Sequence, residues 1–405
     1  MPRPNLEVAD ILRAHGSEYR NRHPLSAEQS QVMRHLVQCR TAALGGHVEH
    51  CRTCQYVRIA YNSCRDRHCP KCQAVQRAVW LERRLERVLP VPYFHVVFTL
   101  PDLLHPLVLK NPRRLYALLF QAASATLLAL ARDQRRLGAR IGFTMILHTW
   151  GQNLLLHPHL HAVVTGGGLS ADGKRWIAGR SRFFLPVKVL GRLFRGKFLA
   201  GLQQLYHRGE LLLQGSIAAL AQPGCFQSLL RSLYRRDWIV YAKPPFGGAQ
   251  QVFRYLGRYT HRVAISNQRL LQLQDGKVVF QYKDYAQGQK RKQMTLAAEE
   301  FLRRFLLHVL PKGFVRIRHY GLLASCQVSE SLARCRQLLG VPATAAPAAT
   351  PKTWIERVAA WLERDPRACP HCHQPLQVFP LEPGRQPVIP TLSRTSLSLG
   401  MVDSS

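Results

Sequence analysis

The chain has 405 residues, 46% hydrophobic and 20% charged, a composition that excludes a disordered chain and suffices for two or three domains with a sizeable core. Lys and Arg total 57 against 23 Asp and Glu, a formal net charge of +34; such an excess repels itself in a compact state unless it meets a polyanion, and nucleic acid is the expected one. The opening "PRPNLEVADILRAHGSEYR" has no apolar core of signal-peptide length, so a cytoplasmic, nucleoid-associated protein is expected, its 11 cysteines serving metal rather than disulfides.

In chain order, the first 35 or so residues read as short helices, with Ser26 as an N-cap. A cysteine- and histidine-rich module follows over 39–72, closed by the charged helix "QAVQRAVWLERRLERVLP". "YFHVVFTLP", residues 93–101, is β-branched and aromatic and reads as a buried strand. Residues 113–137 look helical. Their uncharged run 115–131 falls short of the roughly 20 apolar residues of a bilayer crossing, so a buried core helix and no membrane are expected. "RIGFTMILHTWGQ" and "HLHAVVTGGGLS" read as strands that pair as neighbours, with the glycines at 166–168 as a loop. Residues 182–236 are mostly helical in pattern. The stretch from Asp237 then gives strand, loop, helix and a hairpin turned at Asp275-Gly276. "EEFLRRFLLHVLP" is an amphipathic helix, "VPATAAPAATPKT" a linker, and the last 25 or so residues read as disordered. Strands and helices mixed through the middle suggest an α+β core.

In "EHCRTCQYVRIAYNSCRDRHCPKCQ", Cys51 and Cys54 form one C-x2-C, and Cys69 and Cys72 another 14 residues on. Two such knuckles can hold four thiolates tetrahedrally about 2.3 Å from one zinc. Cys39, Cys64, His47, His50 and His68 lie close enough to replace a ligand or build a second site. Arg52, Arg58, Arg65, Arg67 and Lys71 interleave the ligands, so the module is expected to grip DNA phosphates as well. The later "CPHCH", with Cys369 and Cys372, is half a site needing partners such as Cys326, Cys335 or a second chain.

"LHPHLHAVV" puts His157, His159 and His161 at every second position. Same-face positions on a strand lie about 7 Å apart, which lets two imidazoles converge on one divalent ion. In "VFRYLGRYTHRVAISN", Tyr255 and Tyr259 are four apart, one turn on one helix face, among Arg254, Arg258, His261 and Arg262. Phenols beside cations and a metal suit phosphoryl transfer, with the phenol attacking a DNA phosphate.

"HPHLH" resembles the HUH motif (His, hydrophobic, His), and "YLGRYTHRVAISN" resembles the paired-tyrosine motif of rolling-circle transposases of the insertion sequence 91 type. "YNSCRDRHCPKCQ" resembles that family's zinc-binding domain, and "RIRHYGLLAS" also matches its pattern. The resemblance spans roughly residues 25–330.

It implies an HUH endonuclease core, an antiparallel sheet with flanking helices, preceded by a small zinc-binding domain. The corresponding divisions are 1–90, helical and zinc-binding; 91–325, catalytic; 326–377, a helical segment with linker and knuckle; and 378–405, a disordered tail. It also implies His159 and His161 as ligands of a catalytic Mg or Mn ion, with a third from Gln152, His148 or His157. Tyr255 and Tyr259 take the place of the nucleophiles, Arg254, Arg258 and Arg262 are DNA contacts, and zinc sits in the N-terminal domain on Cys51, Cys54, Cys69 and Cys72. The implied substrate is single-stranded DNA at transposon ends, cleaved through a 5′-phosphotyrosine. A replication initiator or relaxase sharing the HUH chemistry, or a non-catalytic zinc-dependent DNA-binding protein, are the alternatives.

Overall fold

A computed structural model describes residues 6–179, 185–243, 257, 264–284, 287–288, 290–341 and 353–385. The chain opens with helices α1 (Val8–Arg22) and α2 (Ala27–Gln38). Ser26 caps α2 as expected: its hydroxyl accepts from the Gln29 N–H, and the Gln29 side chain accepts from the Ser26 N–H in return. A hairpin of β1 (Gly46–His50) and β2 (Val57–Tyr61) carries the first cysteine knuckle at its tip. Helix α3 (Gln73–Leu85) follows.

The main sheet is antiparallel, ordered β11-β4-β5-β3-β7, with β6 on the far end of β5. Its strands are β3 (Tyr93–Thr99), β4 (Arg140–Trp150), β5 (Leu156–Leu169), β6 (Trp176–Ala178), β7 (Val240–Lys243) and β11 (Ile317–Gly321). Strands β4 and β5 pair as neighbours, as the sequence predicts. One face is an apolar core: Phe98 opposes Leu160, which opposes Leu147, and all three are buried against α5 (Pro112–Arg132) and α6 (Val187–His207). Short α4 (His105–Lys110) and α7 (Pro223–Arg235) complete that side. Helix α5 is the one described helix long and apolar enough to cross a membrane, and most of it is buried here.

The triple glycine is not a loop but the end of β5. A Cβ on Gly168 would lie 2.3 Å from the Arg140 carbonyl oxygen, and one on Gly167 2.6 Å from that of Ile177. Glycine there lets β4 and β6 close on both edges of β5.

A second antiparallel sheet, β8 (Leu270–Gln274), β9 (Lys277–Asp284) and β10 (Lys290–Ala297), turns at Asp275-Gly276 as expected, both residues having positive φ. Helix α8 (Ala298–Leu306) packs on it together with α1 and α2. The zinc module is pinned to this region: Arg67 donates to the carbonyls of Phe314 and Pro311, and the His68 Nε2 accepts from the Leu310 N–H.

Helices α9 (Val328–Leu338) and α10 (Trp354–Leu362) precede β12 (Gln377–Leu381), which pairs antiparallel with β1. Residues 378–385 are therefore not a disordered tail. The free edge of β1 gives β12 backbone partners from Gly46↔Leu381 to His50↔Gln377, and Leu381 is buried. Residues 386–405 lie outside the described residues. The molecule is α+β with antiparallel sheets and flanking helices, as the sequence predicts.

Candidate metal centres and nuclease site

On the face of the main sheet opposite the apolar core, His161 opposes Val97 on one side and Ile146 on the other, and His159 opposes His148 of β4. His148, His159 and His161 each turn a ring nitrogen inward, all within 4.8 Å of one another. The His159 and His161 Nε2 atoms are 3.1 Å apart. Two nitrogens cis on an octahedral ion with bonds of about 2.1 Å stand about 3 Å apart, so the pair fits one ion.

The third member is His148 rather than His157 or Gln152. The β4–β5 register shifts between His148↔His159 and Trp150↔Leu156. One residue of β4 thus faces two of β5, His157 and Pro158. Proline cannot donate to the ladder, and at the resulting bulge His157 is exposed, its ring 4.9 Å from that of His159 but its nitrogens outside the cluster. His157 contributes its carbonyl instead, which accepts from His159 Nδ1 at 2.6 Å. Gln152 sits in the β4–β5 turn, where its carbonyl accepts from Arg269. Arg304 and His308 hold the same turn through the carbonyls of Asn153 and Leu154.

These contacts set the tautomers. The Nδ1–H of His159 donates to the His157 carbonyl, which turns the His159 Nε2 lone pair to the centre; His161 Nδ1 shares a hydrogen bond with His95 Nε2 at 2.8 Å, and with Nδ1 as its donor the His161 Nε2 lone pair faces the centre too. Burial holds His159 down to about 3, with the charge of His157 adding to it, and drives His161 well below the usual imidazole range. Both rings are neutral near pH 7, the state a metal ligand needs. Beyond them, the Nδ1–H of His319 on β11 donates to Thr144, while its Nε2 accepts from Arg84 of α3.

Tyr255, Tyr259, Arg254, Arg258 and Arg262 lie outside the described residues. Gly257, between the two tyrosines, is described: it is helical and buried. A Cβ on it would lie 3.6 Å from Leu81 of α3. Leu81, Trp80 and Leu85 pack on Tyr93, Ile146 and Val163, and Ile146 and Val163 flank His161 on its own face of the sheet. Gly257 is therefore one side chain removed from the histidine face.

The four cysteines expected to share one zinc are divided between two clusters. Cys69 and Cys72 join Cys39, from the end of α2, and Cys64; Cys51 and Cys54 join Cys369 and Cys372. In the first cluster Sγ separations are 3.3 Å for Cys39–Cys72 and 3.5 Å for Cys64–Cys72 and Cys39–Cys69, near the roughly 3.8 Å edge of a tetrahedron with 2.3 Å bonds. Hydrogen bonds from Cys39, Cys64 and Cys69 push the Cys72 thiol far below the ordinary range. Cys39 and Cys64 are the residues the paired spacing hid, because neither belongs to a C-x2-C; their nearness in sequence was the available signal.

Most of the basic residues between the ligands have protein partners, although Arg52 is exposed. Arg58 pairs with buried Glu49, Lys71 with Glu7 at 2.7 Å, Arg52 with Gln377, and Arg67 with the two carbonyls named above. Arg65 is exposed. Asp66 is half-buried, and desolvation would raise its carboxyl, but hydrogen bonds from the His68 side chain and backbone and from His35 bring it down to about 2.

Two family models match the chain: one described as "Putative transposase" over residues 142–331, and one described as "Transposase zinc-binding domain" over residues 11–100. Among similar proteins, "Putative transposase y4qJ" of Sinorhizobium fredii is 52% identical over 377 residues, covering 92% of this chain and 94% of that protein. "Transposase for insertion sequence element IS801" of Pseudomonas savastanoi pv. phaseolicola is 29% identical over 385 residues, covering 92% and 88%. No solved structure matches.

Proposed function

Since the chain belongs to the family of transposases that carry an insertion sequence 91 type zinc-binding domain, we propose that it moves DNA by cutting and rejoining single strands through a tyrosine-linked intermediate. The observation that carries this reading is the convergence of three neutral imidazoles, His148, His159 and His161, on the sheet face against whose α3 cover Gly257 is buried.

In this reading the Tyr255 or Tyr259 hydroxyl attacks a backbone phosphorus. The P–O3′ bond breaks as the new P–O bond to the phenol oxygen forms, the phenol proton passes to the departing 3′ oxygen, and the 5′ phosphate stays on the tyrosine. The exchange conserves bond energy. The free 3′ hydroxyl, or the second tyrosine, then reverses the chemistry on another phosphate, which is strand transfer. His148, His159 and His161 would hold a divalent ion, which would supply Lewis-acid polarisation of the phosphate under attack. Neutral nitrogen donors favour a first-row transition ion, so Mn is the better fit of the two ions expected. His95 and the His157 carbonyl orient the ligand rings, and Arg254, Arg258 and Arg262 neutralise the phosphates.

The zinc of the N-terminal domain sits on Cys39, Cys64, Cys69 and Cys72 in this reading, and stiffens the segment that Arg67 and His68 pin to residues 310–314. Labour divides near residue 90, in a protein of the cytoplasm and nucleoid. The test is a single-stranded oligonucleotide from an element end, incubated with the protein and Mn. A covalent adduct with the wild type and Tyr255→Phe or Tyr259→Phe singly, lost in the double variant, is the expected result. A wild type that forms no adduct with any end sequence leaves the non-catalytic DNA-binding alternative standing.

A further inference from the structure

We propose that Cys51, Cys54, Cys369 and Cys372 form a second zinc centre, separate from the first, which locks the C-terminal arm of the chain onto its N-terminal hairpin. Neither family model reaches residue 369, and the inference stands whether or not the protein cleaves DNA.

The geometry comes from two knuckles built alike. In the first, the Cys51 N–H donates to the Tyr56 carbonyl, the Gln55 N–H donates back to the Cys51 carbonyl, and Gln55 is left-handed with φ 59°. In the second, 318 positions later, the Cys369 N–H donates to the Gln374 carbonyl, the His373 N–H to the Cys369 carbonyl, and His373 has φ 59°. Each loop thus folds its two sulfurs to one side and aims backbone N–H groups at them, including the His371 N–H at Cys369 Sγ. Backbone N–H groups of this kind favour thiolate over thiol.

The knuckles face each other. Sγ separations are 3.4 Å for Cys51–Cys372 and 3.4 Å for Cys54–Cys369, with all four sulfurs within 4.8 Å. A disulfide needs about 2.05 Å, whereas a tetrahedral zinc needs sulfurs about 3.8 Å apart. Four thiolates suit zinc among divalent ions. The Cys51 and Cys369 sides are buried, and Cys54 opens to solvent.

What the ion holds is visible in the surrounding contacts. The β12–β1 ladder, the Tyr56–His371 ring contact at 4.9 Å and the Arg52–Gln377 hydrogen bond all join the same two segments. Farther up the arm, Arg357 of α10 pairs with Glu82 of α3, and Arg336 of α9 donates to the Glu86 carbonyl. The arm therefore crosses the helix that covers the histidine face before the knuckle fastens it.

The experiment counts zinc per chain and maps thiol protection on the full-length protein. Cys51→Ser/Cys54→Ser, Cys369→Ser/Cys372→Ser and the fourfold combination are each expected to hold one zinc fewer than wild type, and Cys64→Ser/Cys69→Ser to lose a different one additively. Zinc unchanged in Cys369→Ser/Cys372→Ser, or two ions lost in the fourfold variant, would overturn the proposal. The wild type supplies the second measurement, independent of whether any variant folds. With zinc bound, Cys51, Cys54, Cys369 and Cys372 should resist alkylation and become labelled at one common rate on adding a chelator, while exposed Cys326 reacts at once. Labelling of Cys369 and Cys372 as fast as Cys326, or a mass showing a Cys51–Cys372 disulfide, sinks it.

Discussion

The two faces of the main sheet come from the same strands, alternate residues apart, and they do opposite work. Phe98, Met145, Leu147, Leu160, Ala162 and Val164 point to one side and meet Phe194, Phe198 and Trp238 in a dry aromatic and aliphatic core. There each large side chain contributes about 1.5–3 kcal/mol by leaving water. Thr99, Thr144, His148, His159, His161 and His319 point to the other side, where every buried polar atom needs a partner and the burial returns little. Strand alternation lets one face carry stability while the other holds imidazoles neutral and oriented, so the site need not be stable in its own right.

That division can be broken from either side. Replacing His159 and His161 together with alanine should lower metal-dependent cleavage of an element-end oligonucleotide by at least about 10³-fold, with the thermal midpoint nearly unchanged. Persistence of cleavage would detach the chemistry from this face. On the core face, Phe98→Ala should cost about 3–5 kcal/mol in urea unfolding, while the folded fraction keeps the Mn binding proposed for the histidine face; a loss below about 1 kcal/mol would show that this face is not where stability resides.

Acid should act through the buried imidazoles. His308, fully buried between Thr149 and the Leu154 carbonyl, is pushed down to about 4 by that burial, and so is His319. Below the ordinary value of about 6.5 the unfolded chain takes up protons that the native chain does not. Stability present above pH 6.5 is therefore lost as pH falls from there to about 4, by about 3 kcal/mol for His308 alone. Thermal midpoints measured across pH 4–7 check this, and a His308→Gln variant should flatten the slope. The smallest effect belongs to the support of a ligand: His95→Ala should weaken Mn binding by about 10- to 100-fold without altering the fold, read by titration calorimetry.

Much of the architecture is legible in the sequence because it is written in short-range patterns. The Ser26 cap, the Asp275-Gly276 turn, the pairing of β4 with β5 and the buried helix, read over 113–137 and ending at Arg132, each follow from residues within a turn or two of one another. Gly166, Gly167 and Gly168 were misleading because glycine serves both turns and close strand approach, and only the neighbouring backbone of Arg140 and Ile177 tells the two apart. His148 was one option of three; the bulge at His157 and Pro158, which chooses it, depends on register with another strand.

The cysteines draw the boundary most clearly. By itself the sequence determined the donors and the shape of each knuckle, since a C-x2-C loop closes through hydrogen bonds spanning no more than five residues. Which knuckle meets which was decided only by tertiary structure. Adjacent pairs in the chain, 51/54 and 69/72, part company because β1 pairs with β12 and so brings residue 369 to residue 54, while α2 delivers Cys39 to Cys72. Spacing along the chain limits what a loop can do alone; pairing between distant strands chooses its partner.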